Sequence, residues 1–410
     1  MSDREFAGFD AEIVADVVRQ PPLSQLRRAA WVRRRRRVTG VGLAVVLALG
    51  GTVSVPLVGD GGVVDRTGVS PTGLPGGPRV ARELVVLSAR SAVVVEDPGD
   101  GCRLSFTATS DAGQTWSERR TNHLDGPCRA DAQGFRTSAV RFNVLDEQRY
   151  LVSVDGSQFV SSDAGRTWRS LASVVTEVRA FPENARLVRC QETCGATSQA
   201  LAVDPSTWRV YRLVDAPQVG GPDTVDQAGD GALWHMSPGP EPGAPASAAR
   251  SVDRGATWHT STLPGGVWAK SLVAVSAQEA YVLCQPMPSG PNGEPAGPAR
   301  LLHTTDGGRS WTDLDASLPS SDSVRGITIG AGGALLVGHS TSTSVTSSVW
   351  ISRDGGRRFT RSARTGNEGW LGMSRGLVWM ADREDPPDAS STVVQVSVDG
   401  VNWSRLTLPR

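Results

Sequence analysis

Residues 109–116 read "TSDAGQTW", and 52 positions later residues 161–168 read "SSDAGRTW". The same eight-residue corner returns as "SVDRGATW" (251–258), "TTDGGRSW" (304–311) and "SRDGGRRF" (352–359). Two shortened copies, "AVDPSTW" (202–208) and "SVDGVNW" (397–403), are one residue tighter between the aspartate and the tryptophan. The aspartates stand at Asp111, Asp163, Asp204, Asp253, Asp306, Asp354 and Asp399, separated by 52, 41, 49, 53, 48 and 45 residues. A self-similar period of this size in a strand-rich chain is the signature of propeller blades, so seven copies predict seven blades.

The motif has a local physical logic. The Asp carboxylate accepts hydrogen bonds from amides just downstream and closes a turn. Gly113, Gly165, Gly255, Gly308 and Gly356, two residues after their aspartates, supply a positive φ that other residues enter at a cost. The Ser and Thr hydroxyls cap the remaining amides. The aromatic residue (Trp116, Trp168, Trp208, Trp258, Trp311, Phe359 or Trp403) opens the next strand and is expected to bury its ring between sheets. Each corner supports itself, and nothing in it requires a ligand.

Between corners the chain breaks into short β-branched runs punctuated by Gly, Pro and Asp, which are strands rather than helices. Blade 2 reads "SAVRFNV", "RYLVSVD", "QFVSSD", corner, "WRSL"; blade 5 reads "SLVAVS", "AYVLCQ", "RLLHTTD", corner, "WTDL". Naming the strands A to D from the centre outward, every corner is expected at a C–D turn. The fold class is thus all-β: a seven-bladed propeller of four-stranded blades over residues 80–410.

Upstream lies a different kind of chain. Residues 38–59 carry no charge for 22 positions, enough to span a bilayer as a helix, and the arginines Arg33 to Arg37 abut the N-terminal end. The positive-inside rule puts residues 1–37 in the cytoplasm and the propeller outside, as a single-pass protein of a bacterial plasma membrane. A cleavable signal peptide fits less well, because its basic region would be unusually long and no Ala-x-Ala site follows. In the tail, Phe6, Phe9, Ile13 and Val17 recur at helical spacing until Pro21-Pro22. Residues 60–79 are Gly/Pro-rich and form a linker.

Charge is balanced, 42 basic against 42 acidic side chains, which gives no reason to expect a nucleic-acid partner. The five histidines (His123, His235, His259, His303, His339) show no ligand spacing, so no metal site is expected, and no cofactor is implied. "GITIGAGGALLVG" (326–338) reads as two strands about a turn rather than a phosphate loop. An oxidising exterior suits the cysteines. Cys102 begins the C strand of blade 1 and Cys128 follows its D strand, so these two are expected to pair. Cys190 and Cys194 flank a short turn and form the second expected disulfide, against a CxxxC metal or redox site as the rival. Cys284 is left as a buried free thiol.

Ser/Thr-x-Asp-x-Gly-x-Thr/Ser-Trp resembles the Asp box, or BNR repeat, of sialidases, some glucanases, sortilin-like receptors and photosystem II assembly-factor-like propellers. The copies at Asp111, Asp163, Asp253 and Asp306 match well; Phe359 replaces the Trp of the Asp354 copy; the Asp204 and Asp399 copies are degenerate. In those families the box is structural and faces away from the active site, which leaves this resemblance specific for fold and poor for function. Sialidases use three arginines, a Tyr–Glu nucleophile pair and an Asp acid/base. Arg79 or Arg82, and Asp97 or Asp100, lie in the right region but not in the motif. Tyr150 and Tyr281 read as B-strand residues and Tyr211 as a D-strand residue, so no catalytic residue is assigned. The long loops 238–248, 286–299, 382–390 and 122–134 fall on the face opposite the corners, where binding usually sits. The expected role is a non-catalytic binding or scaffold module for a protein, glycan or cell-wall partner; the alternative is a sialidase-type exo-glycoside hydrolase.

Overall fold

The structure is a computed structural model that describes residues 81–97, 103–123, 141–154, 157–188, 200–217, 225–237, 244–286, 297–319, 324–340, 346–374, 376–382 and 393–409. The basic tail, the expected span and the linker lie outside the described residues, as do Cys102, Cys128, Cys190 and Cys194 and most of the four long loops. Among the described residues no helix is long and apolar enough to cross a membrane.

Seven blades follow in order. Blade 1 holds β1 (Ala81–Val86), β2 (Ala92–Asp97), β3 (Arg103–Thr109) and β4 (Arg120–His123). Blade 2 holds β5 (Arg141–Asp146), β6 (Arg149–Val154), β7 (Ser157–Ser161) and β8 (Arg169–Ser170). Blade 3 comprises β9 (Val175–Val178), β10 (Arg186–Val188), β11 (Leu201–Val203) and β12 (Val210–Leu213). Blade 4 has β13 (Val225–Gln227), β14 (Leu233–Ser237), β15 (Ser247–Ser251) and β16 (His259–Thr262). Blade 5 has β17 (Val267–Ala274), β18 (Ala280–Pro286), β19 (Arg300–Thr304) and β20 (Thr312–Asp313). Blade 6 runs β21 (Val324–Ile329), β22 (Leu335–Ser340) and β23 (Thr346–Ser352) into β24 (Thr360–Ser374), and β25 (Leu377–Asp382), β26 (Val393–Ser397) and β27 (Ser404–Thr407) complete blade 7. The long β24 is the outer strand of blade 6 and then the inner strand of blade 7, so these two blades share one seven-stranded sheet.

Six blades keep the expected meander, with every pair antiparallel. Blade 3 does not. Its sheet order is β10-β11-β12-β9, and β9 lies parallel to β12 with Val175 opposite Val210. The Asp204 corner therefore joins the second and third strands of its sheet counted from β10, which corrects the rule that every corner is a C–D turn. The physical reason is in the side chains of β9: Thr176 and Glu177 are exposed, and Arg212 faces Glu177 at 4.0 Å. An innermost strand buried on both faces could not carry that pattern.

Alternate residues of each strand face opposite neighbours, and the apolar side chains gather into seven clusters, one per blade-to-blade seam. Leu104 and Phe106 of blade 1 meet Phe142 and Tyr150 of blade 2. Leu84 and Val86 of blade 1 meet Trp379 and Leu406 of blade 7, which closes the ring. Polar ties reinforce the seams. Leu187 N donates to Gln227 Oε1 (3.0 Å) between blades 3 and 4, and Ala274 N to Asp226 Oδ2 (2.9 Å) between blades 4 and 5. Lys270 Nζ donates to Val324 O (2.7 Å), Thr328 Oγ1 to Ser374 O (3.1 Å) and Ser374 Oγ to Val86 O (3.0 Å), completing the circuit from blade 5 back to blade 1.

Candidate functional site

Among the described residues the repeated corner is the most regular polar constellation. At Asp111, Oδ1 accepts from Thr109 Oγ1 (2.8 Å) and Thr115 N (2.9 Å), and Oδ2 accepts from Thr115 Oγ1 (2.6 Å). Thr109 Oγ1 in turn accepts from Gly113 N at 3.0 Å. Asp163, Asp253 and Asp306 repeat this set, with hydroxyl contacts of 2.6 Å from Thr167, Thr257 and Ser310. The Asp354 corner keeps Ser352 and takes Arg357 N and Arg358 N. In the shortened copies, Asp204 accepts from Ser206 and Asp399 from Val401 and Asn402. The hydrogen bond from Thr115 holds the Asp111 carboxyl down at about 2, that from Ser206 does the same for Asp204, and those from Ser310 lower Asp306. Each carboxylate is held by donors of its own turn, through both oxygens at Asp111, Asp163, Asp253, Asp306 and Asp399 and through Oδ1 at Asp204 and Asp354.

The glycines do what their position requires. Gly113 sits at φ 82°, and a Cβ there would land on the Thr407 carbonyl of blade 7. The residue before it is left-handed as well: Ala112, Ala164 and Arg254 have φ of 63°, 60° and 58°. The sequence pattern missed this second strained position, because three different residue types occupy it.

Each corner aromatic sits on the preceding blade. Trp116 packs on the blade 7–1 seam, Trp168 on 1–2, Trp208 on 2–3, Trp258 on 3–4, Trp311 on 4–5, Phe359 on 5–6 and Trp403 on 6–7. Phe359 is buried, and the six tryptophans are mostly buried, each left partly open at its seam rim. The reason is the indole N–H: Trp116 Nε1 donates to Thr407 O (3.0 Å), Trp258 Nε1 to Gly255 O (3.1 Å) and Trp311 Nε1 to Ser261 Oγ (3.2 Å). Arg149 also lies over Trp208, its Cζ 3.1 Å from the ring centre, while bonding Asp146 at 2.8 Å.

Tyr150 in β6 and Tyr281 in β18 fall in the B strands expected of them, whereas Tyr211 lies in β12, the third strand of its sheet counted from β10 and not the expected D strand, because β9 pairs outside it. All three are buried. Tyr281 is nonetheless part of a titratable cluster. Glu279, in the turn before β18, accepts from the Tyr281 hydroxyl at 3.0 Å and lies 3.0 Å from His303 Nε2. Tyr281 and His303 are cross-strand partners with rings stacked 4.3 Å apart. This is a Tyr–Glu pair, but it sits beside the corners: Gly307 N of the Asp306 corner donates to Gln278 O of the same turn. Burial, then the hydrogen bond to Glu279, push the phenol of Tyr281 well above its ordinary range; burial, then Asp146, do the same at Tyr150. Both stay neutral at any physiological pH. Cys284 is free and buried, its thiol pushed up to about 12 by burial. Arg82 and Asp97 lie at one end of the β1–β2 ladder, where Ala81 pairs with Asp97 and Arg82 with Glu96. Arg79 and Asp100 lie outside the described residues.

No protein-family model matches this chain, and no curated protein matches it. Solved structures do. One is YCF48 bound to D1 peptide, 16% identical with a TM-score of 0.32, covering 57% of this chain and 66% of that one. A Hadza microbial sialidase is 15% identical with a TM-score of 0.37, covering 80% and 65%. An ancestral GH74 enzyme is 11% identical with a TM-score of 0.44, covering 82% and 47%. The chain thus spans less than two-thirds of each of these three proteins. They are β-propellers, and the likeness extends to that architecture alone.

Proposed function

We propose that this chain is an Asp-box-type propeller, held outside a bacterial plasma membrane by residues 38–59, that binds a protein or glycan partner without chemically altering it. The observation that carries this reading is the state of its polar side chains. The corner carboxylates are engaged by donors of their own turns, and the tyrosines are buried strand residues, Tyr150 and Tyr281 held neutral. The long loops 122–134, 238–248, 286–299 and 382–390, expected from the sequence on the face opposite the corners, would offer the surface for a partner. The two expected disulfides, Cys102–Cys128 and Cys190–Cys194, belong to this extracytoplasmic reading.

One observation favours the alternative, a sialidase-type exo-glycoside hydrolase: Glu279 and Tyr281 are hydrogen-bonded to each other. Retaining glycosidases need a nucleophile within bonding reach of the sugar. Here the phenol lies 3.6 Å from where a Cβ on Gly355 of the next blade would stand, which leaves no room for a sugar ring on that side. A fluorogenic sialoside assay separates the readings. Purified full-length chain should give no turnover above a no-enzyme control, while a glycan array or a candidate protein partner reports binding. Turnover that vanishes in Tyr281→Phe would replace the binding module by the enzyme.

A further inference from the structure

His235, in β14, stands in the seam between blades 3 and 4. It is 2% exposed, and its Nε2 has no hydrogen-bond partner. Its ring meets Trp258 edge to face, 6.5 Å between centres and 82° between planes. Val225 and Ala249 are its cross-strand neighbours, and Phe181, Tyr211, Leu213 and Leu233 fill the adjoining apolar cluster. A buried polar atom with no partner costs more than a paired one, and a buried unpaired cation costs far more.

The groups that face this seam do nothing to offset a charge there. Among the described residues, Tyr211 is the only titratable member of the apolar cluster. Asp253 at the rim is tied to Ser251 and Thr257, and Arg254 donates to Phe181 O. Asp226 of β13 and Arg250 of β15 are turned to blade 5, where they meet Ala274 N and Ala277 O. Glu177 of β9 is exposed and faces Arg212 of β12. Among the described residues no carboxylate is positioned to pair with an imidazolium at His235.

The seam is also built from short pieces. β10, β11 and β13 have three residues each, whereas the strands of blades 5 and 6 have five to fifteen, the two-residue β20 excepted. Blade 3 is the one with a displaced strand. Low-stability units of this kind open before the rest of a structure.

We propose that His235 makes the blade 3–4 seam an acid-sensitive joint: protonation of its imidazole opens this seam while the other six stay closed. This goes beyond the binding reading and does not depend on it. Burial alone lowers His235 to about 4. In an opened seam the ring takes its ordinary value near 6.5. The open state therefore binds more protons between those values, so the seam is fully stable above about pH 6.5 and weakens as pH falls toward 4.

Hydrogen exchange followed by mass spectrometry on the full chain, at pH 7.5 and 5.0 with intrinsic rates corrected, tests this. Peptides covering β10 to β15 should lose protection by roughly tenfold or more at pH 5.0. Peptides covering β17 to β23 should not. His235→Phe should abolish the difference; His235→Leu serves if the phenylalanine variant fails to fold, and an NMR titration of His235 in the unmodified chain serves if both fail. Equal loss of protection in every blade, acid sensitivity that survives the substitution, or a His235 titration near 6.5 with protection intact would each overturn the joint.

Discussion

At the scale of single residues, the corner separates what a sequence displays from what it conceals. The Asp, Gly and hydroxyl positions were legible because each acts on amides within four residues. The left-handed residue after the aspartate was not, since Ala, Arg and Gly all occur there. Its strain is testable: Ala112→Gly and Ala164→Gly should each raise stability by a few tenths to about 1 kcal/mol in chemical denaturation, as the Asp306 corner already has Gly307 at φ 77°. Gly113→Ala should instead destabilise, because its Cβ meets the Thr407 backbone, which cannot swing aside as a side chain would. Acid titration probes the carboxylates. Their folded values lie below the ordinary Asp range, so their contribution is complete above about pH 4 and is lost as pH falls through about 2. Asp111→Asn should shrink the loss of melting temperature across that interval; an unchanged slope would mean that the turn bonds carry no stability.

At the scale of strands and seams, the meander was legible from β-branched runs and turn residues, and it holds in six blades. Blade 3 departs because strand order depends on burial on both faces, which "VTEV" (175–178) reveals only through its two exposed central residues. The seat of each tryptophan on the preceding blade was hidden for a related reason: it is a contact between repeats, and Trp116 reaches Thr407 across 291 residues. Glu279 was missed although a signal existed, since Glu279 and Tyr281 alternate onto one face and Tyr281 pairs with His303. Partial burial sets the worth of the wedges. About two-thirds or more of an indole's roughly 200 Å², at about 25 cal/mol per Å², gives roughly 3–5 kcal/mol for Trp116→Ala or Trp258→Ala. Thermal melts that show no change in either variant would deny the wedge any role.

At the scale of the whole molecule, seven corner repeats, seven apolar seams and a polar circuit from blade 3 through blade 7 to blade 1 describe one closed ring. Its count was legible because the repeat is; its closure was not, since nothing in "LVVLSARSAVVV" (84–95) announces that it packs on the last blade. Closure makes the C-terminal strand indispensable: ending the chain after Trp403 removes β27, exposes Leu84 and Val86, and should convert cooperative unfolding into a broad, early transition. The ring itself is tested most directly by an experimental structure of residues 61–410, by crystallography or cryo-electron microscopy. It should show seven blades about one axis, with the Trp116 indole on the Thr407 carbonyl and β9 parallel to β12. Six or eight blades, or a Trp116 ring seated within its own blade, would contradict it.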